Sequence, residues 1–102
     1  MNSKVVVLRV EIEGISPPIW RRLAIDGTAT LRELHHVIQA AFGWTDAHLH
    51  EFTVEDQTYA MLDNVNVLER IDDLDVMSLD DRKARLARLA YVGQVFTYLV
   101  MV

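Results

Sequence analysis

The sequence predicts a small α+β domain, in which about five strands form a mixed or antiparallel sheet and one main helix packs on it. Several segments alternate apolar and polar residues with a period of two, which is typical of strands. One segment instead places apolar residues at three- and four-residue spacing, which indicates a helix. With 102 residues, of which 51% are hydrophobic, we expect one core and a single domain spanning residues 1–102.

The first two strands are predicted at residues 6–12 and 19–26. Each alternates apolar with polar or charged residues, and two consecutive prolines between them remove backbone donors and interrupt the extended run. The second segment places Arg21 and Arg22 on opposite faces. We therefore expect a hairpin in which a glutamate of the first strand approaches one of these arginines.

The main helix is predicted over residues 31–42. Thr30 and Glu33 form a capping-box sequence, in which each residue can satisfy the other's backbone N–H. Leu34 and Ile38 belong to an apolar stripe along this segment, and Gly43 stands where a left-handed residue ends a helix.

The remaining elements are two strands, a second helix and a final strand. Residues 48–55 alternate again, and residues 58–61 can form a short partner strand. A second helix is predicted at about residues 79–90, because acidic residues at its start precede basic ones. Residues 95–102 form an almost continuous apolar strand.

The charge and the cysteine content exclude several classes of function. Ten Lys and Arg against fifteen Asp and Glu give a formal net charge of -5, which opposes binding to a phosphate backbone. The absence of cysteine excludes disulfides, thiolate zinc sites and a cysteine nucleophile. No apolar run is long enough for a signal peptide or a membrane span, so we expect a cytoplasmic protein with no membrane partner.

Three ordered sequence blocks resemble one known family. They are ISPPIWRR at residues 15–22, LRELHHVIQAAFGW at residues 31–44 and HLHEF at residues 48–52. The resemblance covers about residues 6–98 and is to the plasmid pRiA-type open-reading-frame-three-like family, also called insertion-element passenger TnpR-like proteins. It implies an α+β fold, an association with plasmids and mobile elements, and no established activity. We therefore expect a non-catalytic binding or interaction module, and no residue is assigned a catalytic role.

The C-terminus departs from the family pattern. Members are usually longer, and their Phe-x-Tyr strand continues into a Tyr-Asp-Phe-Gly-Asp stretch followed by a Trp and a His. Here Phe96 and Tyr98 match, but residues 99–102 do not continue the pattern. By this comparison the chain lacks the C-terminal part of the family.

Three histidines are candidate metal ligands, although we expect no cofactor. His48 and His50 share one side of a predicted strand, and His35 from the helix is a candidate third ligand. Such a site could bind a divalent metal such as zinc and activate water, which makes a metal-assisted hydrolase one alternative function. The competing interpretation is that His50 and His35 are packed and hydrogen-bonded in the core.

Two groups of basic residues are candidates for nucleic-acid binding. One combines an aromatic surface with two guanidinium groups, and the other follows the start of the second predicted helix. These groups are Trp20, Arg21 and Arg22, and Arg82, Lys83, Arg85 and Arg88. They make a DNA-associated accessory protein the second alternative, which the net acidity disfavours.

The apolar C-terminal strand predicts self-association. An uncovered apolar strand pairs inside a sheet, pairs with another molecule or aggregates. We therefore expect a homo-oligomer that forms through residues 95–102.

Overall fold

The computed structural model describes residues 4–45, 49–61 and 78–100. These residues form six strands and two helices, which confirms the predicted α+β class. In chain order the elements are β1 (Val5–Glu11), β2 (Trp20–Asp26), α1 (Leu31–Ala41), β3 (His50–Val54), β4 (Gln57–Ala60), β5 (Ser78–Asp80), α2 (Leu86–Leu89) and β6 (Phe96–Val100). No helix in this part of the chain is both long and apolar enough to span a bilayer.

The strands form two sheets rather than one. β1 and β2 make an antiparallel hairpin by themselves, whereas the other four strands are ordered β5-β4-β3-β6. β3 is antiparallel to both of its neighbours, and β5 is parallel to β4. The prediction of a single sheet of about five strands is therefore corrected, because the alternation along a strand does not encode which strands pair.

The hairpin has the expected strands but different polar contacts. Leu8 lies opposite Leu23 and Glu11 lies opposite Trp20. The carboxylate of Glu11 accepts a hydrogen bond from Arg9 at 2.8 Å, two residues away on the same strand. Arg21 instead donates to the backbone oxygen of Ala41 at the end of α1.

The helix α1 begins and ends as its sequence predicts. The Thr30 hydroxyl accepts the backbone N–H of Glu33 at 3.1 Å, and the Glu33 carboxylate accepts that of Thr30 at 3.0 Å. At the other end, Gly43 has φ = 71° and donates to Ala40, while the backbone N–H of Trp44 donates to Gln39. These two bonds form a Schellman motif, which requires the left-handed conformation that glycine adopts most readily.

The second predicted helix is much shorter than expected. Only Leu86–Leu89 is helical, and Ser78–Asp80 is a strand paired with β4. The backbone N–H groups of Leu86 and Ala87 donate to Ala29 and Gly27 instead of to preceding residues of their own segment. Long-range backbone pairing therefore replaces the helix that the local sequence favours.

Gly27 allows this segment to approach the hairpin. A Cβ atom on Gly27 would lie 2.7 Å from the backbone oxygen of Lys4 and 2.8 Å from the Cβ of Ala87. Both distances are shorter than van der Waals contact. The close backbone approach therefore requires glycine at this position.

The apolar core lies between α1 and the two sheets, but it is not fully covered. Leu31, Leu34 and Ile38 of α1 are buried together with Phe52 of β3 and Leu86 of α2. The hairpin residues Val6, Leu8 and Val10 pack against this core and are only partly buried. The protein is flat, with extents of 40 × 39 × 24 Å.

Candidate functional site

A pair of stacked histidines lies where α1 crosses the four-stranded sheet. His35 comes from the apolar face of α1 and His50 from the first position of β3. Their ring centroids are 3.6 Å apart and their planes are inclined by only 9°. Their exposed fractions are 3% and 1%, so both imidazoles are core residues.

Asp81 connects His50 to the first turn of α1. Its side chain is fully buried, and its two oxygens contact His50 Nε2 at 2.5 Å and Arg32 Nε at 2.9 Å. Because a carboxylate oxygen only accepts hydrogen bonds, Nε2 of His50 is the donor in this contact. The other ring nitrogen, Nδ1, is buried without a hydrogen-bond partner. The Asp81 carboxylate is thus bound by one cation and one imidazole.

The backbone also fixes Asp81 between the sheet and the helix. Its N–H donates to the backbone oxygen of Ala60 in β4, and its own backbone oxygen accepts the N–H of Arg32. Backbone hydrogen bonds therefore hold Asp81 to β4 and to α1, and from this position its side chain contacts His50 and Arg32. Sequence reasoning missed Asp81, because Asp80 and Asp81 resemble the acidic start of a helix.

Tyr98 anchors the other member of the histidine pair. Its hydroxyl lies 2.6 Å from Nδ1 of His35 and accepts a hydrogen bond from Gln39 Nε2 at 2.9 Å. The Tyr98 ring also lies against the Phe52 ring, with centroids 4.8 Å apart. A polar network therefore joins α1, β3 and β6 through the core.

The structure brings together two of the three predicted metal ligands, His35 and His50. His48 lies outside the described residues. Imidazole lone pairs lie in the ring plane, so stacked rings direct them in parallel planes, whereas a zinc site needs them to converge at about 2.1 Å. No group of three or more metal-ligating side chains occurs within residues 4–45, 49–61 and 78–100.

The first group of basic residues is divided between two environments. Arg21 lies against α1, where its guanidinium is 5.1 Å from the centroid of the Phe42 ring. Trp20 is on the other face of the hairpin, where the Arg9 guanidinium stacks 4.3 Å above its ring. Arg22 is exposed and lies opposite Arg9 in the hairpin. Trp20, Arg21 and Arg22 therefore do not share one surface.

The second group of basic residues does not lie along one helix face. Arg82 forms an exposed ion pair with Asp80 at 2.8 Å, and its hydrogen bond lowers the pKa of Asp80 to about 2. Arg85 donates to the backbone oxygen of Thr28 at 2.7 Å. Lys83 and Arg88 are exposed. Two of the four side chains thus have specific intramolecular partners.

A mainly apolar groove of about 1410 Å³, called here the open groove, is lined by residues of both β1 and β6. α1 and Phe52 contribute further apolar surface. The walls include Val6, Leu8 and Val10 on β1, and Phe96, Tyr98 and Val100 on β6. All six side chains belong to the inward faces of their strands but are only partly buried. Among residues 4–45, 49–61 and 78–100, the open groove is therefore a part of the core that no other element covers.

Comparisons with known proteins identify related chains without a known activity. Residues 4–100 match the family model described as plasmid pRiA4b ORF-3-like protein. The uncharacterized protein y4hQ of Sinorhizobium fredii (strain NBRC 101917 / NGR234) is 40% identical over 63 residues, which are 62% of this chain and 32% of that protein. The chain thus spans about a third of this curated relative.

A solved structure has a similar fold over almost the whole chain. It is the crystal structure of MM3350, a protein of unknown function from Methanosarcina mazei Go1. The two are 26% identical with a TM-score of 0.81, and the match covers 98% of this chain and 54% of that one. The similarity therefore includes about half of the solved protein.

Proposed function

We propose that the chain, which belongs to the plasmid pRiA4b ORF-3-like family, is a non-catalytic interaction module. It binds a second copy of itself through β6 and the open groove. The main observation in support of this proposal is the open groove. The inward faces of β1 and β6 present apolar side chains to it, although such faces are normally covered. A large uncovered apolar patch is typical of an interaction surface.

The edge of the four-stranded sheet supports a second copy as the partner. Among the described residues, β6 (Phe96–Val100) is an outer strand and carries no charge, so it can pair with a strand of another molecule.

The burial of the polar network supports a non-catalytic role. His35, His50 and Asp81 are each at least 97% buried, and the contacts among them join structural elements. A catalytic base needs to reach the proton that it removes, directly or through one water. These groups instead contribute to the packing of the helix on the sheet.

A charge placed in the open groove tests the proposal. Val95 lines the groove and is 78% exposed, so lysine at this position costs little in an isolated chain. If a second copy covers the groove, Val95→Lys buries a charge and weakens self-association at least tenfold in sedimentation velocity. Leu79→Lys is the matched control, because Leu79 is a half-exposed leucine on β5 outside the groove. Equal effects of the two substitutions would contradict the proposal.

A further inference from the structure

We infer that the two copies join by pairing β6 with β6, antiparallel about a two-fold axis perpendicular to the sheet. The inference rests on the proposed function and specifies which strand of the partner is used. Within the described residues, β6 is an outer strand of the sheet β5-β4-β3-β6 and pairs with β3 alone. Homotypic pairing would join two four-stranded sheets into one of eight strands.

β6 is the least protected strand edge among the described residues. Natural edge strands resist pairing when they are short or carry charged side chains. β5 has only three residues, β2 carries Arg21 and Arg22, and β1 carries the Arg9–Glu11 ion pair. By contrast, the five residues of β6 (Phe96–Val100) contain neither a charge nor a proline.

The charge pattern suits pairing of β6 with itself. An antiparallel two-fold pair brings each strand against its own sequence in reverse, so a charged residue would meet charges of the same sign. Since β6 has no charge, no such repulsion arises. Pairing of β6 with β1 would instead place the apolar side chain of Leu99 next to the charged face of β1, which carries Arg9.

The same symmetry brings together the β6 walls of the two open grooves. A two-fold axis perpendicular to a sheet keeps the inward faces of both strands on one side. Phe96, Tyr98 and Val100 of each copy then lie beside those of the other, on the side occupied by α1. One closed pairing thus extends both sheets and places the apolar inward faces of the two β6 strands side by side, and it forms a dimer rather than an open chain.

Disulfide trapping tests this arrangement, because the natural chain has no cysteine. Thr97 and Leu99 are exposed on the outer face of β6 and can each be replaced by cysteine. Directly opposed residues of an antiparallel pair have Cα atoms about 4.5–5.5 Å apart, within the range for a disulfide. We expect covalent dimers from Thr97→Cys alone, from Leu99→Cys alone or from their equimolar mixture, depending on which residue lies at the axis.

Two controls separate the alternatives. Leu79→Cys on β5 measures random oxidation, and a mixture of Val7→Cys with Leu99→Cys measures pairing of β1 with β6. A β6–β6 disulfide yield at least tenfold above both controls supports the inference. Two outcomes overturn the inference but not the proposed function. One is a predominant Val7–Leu99 product, and the other is a background disulfide yield from every variant in a protein that still sediments as a dimer. A protein that does not self-associate removes both.

Discussion

The imidazole ring of His35 lies face to face with that of His50, with centroids 3.6 Å apart, and the contact joins α1 to β3. Each ring has a separate polar anchor, Tyr98 for His35 and Asp81 for His50. The two anchors come from β6 and from the segment after β5. This buried polar network therefore holds four parts of the chain together. We expect its members to contribute different amounts to the free energy of unfolding.

Asp81→Ala should be strongly destabilising. The substitution leaves the Arg32 guanidinium and the buried His50 ring without their shared acceptor. Removal of one partner from a buried ion pair costs about 3–5 kcal/mol in the free energy of unfolding. Urea unfolding followed by circular dichroism measures this loss.

The neighbouring variant Asp80→Ala is the matched control. It removes the ion pair with the half-exposed Arg82 side chain and the hydrogen bond from the Arg82 backbone N–H, and it should cost about 1–2 kcal/mol. Equal losses in the two variants would show that Asp81 does not have the role assigned to it.

Tyr98→Phe should cost about 1–3 kcal/mol in stability, because it removes only the hydroxyl that contacts the buried side chains of His35 and Gln39. The aromatic ring and its contact with Phe52 are retained. The same measurement on Tyr91→Phe gives the baseline, since the Tyr91 hydroxyl makes an exposed hydrogen bond to Glu55. If Tyr98→Phe unfolds at the same urea concentration as Tyr91→Phe, the network does not stabilise the core.

The carboxyl group of Asp80 should titrate well below its ordinary range. The hydrogen bond from Arg82 lowers its pKa from 3.8 to about 2. Since the folded value is the lower one, the interaction stabilises the protein above about pH 4, and this contribution disappears as the pH falls through 2. Chemical-shift titration of the Asp80 side chain measures the midpoint. We expect Arg82→Gln to return it toward 3.8, and a midpoint near 3.8 in the unsubstituted protein would contradict the ion pair.

The local elements could be predicted from the sequence, and their long-range pairing could not. The capping box of Thr30 marks the start of α1, and the left-handed Gly43 marks its end. Each signal involves only a few neighbouring residues, so both ends were predictable. Strand alternation likewise located β1, β2 and β3, β4 was predicted as a short partner strand, and an almost continuous apolar run located β6. The division into two sheets depends on which strands pair, which alternation does not specify.

The candidate site was only partly predictable for the same reason. Burial of His35 and His50 followed from their positions on apolar faces. The contacts of Asp81 with His50 and Arg32 span 31 and 49 residues, and no local pattern marks them. The acidic residues before Arg82 favoured a helix, and pairing with β4 replaced it with β5.

Sedimentation equilibrium of the unmodified chain at neutral pH is the decisive test of self-association. We expect a concentration-dependent mass that rises to twice the 11.7 kDa chain mass at high micromolar concentration and does not rise further. A mass that stays at 11.7 kDa over this range would contradict self-association through β6 and the open groove.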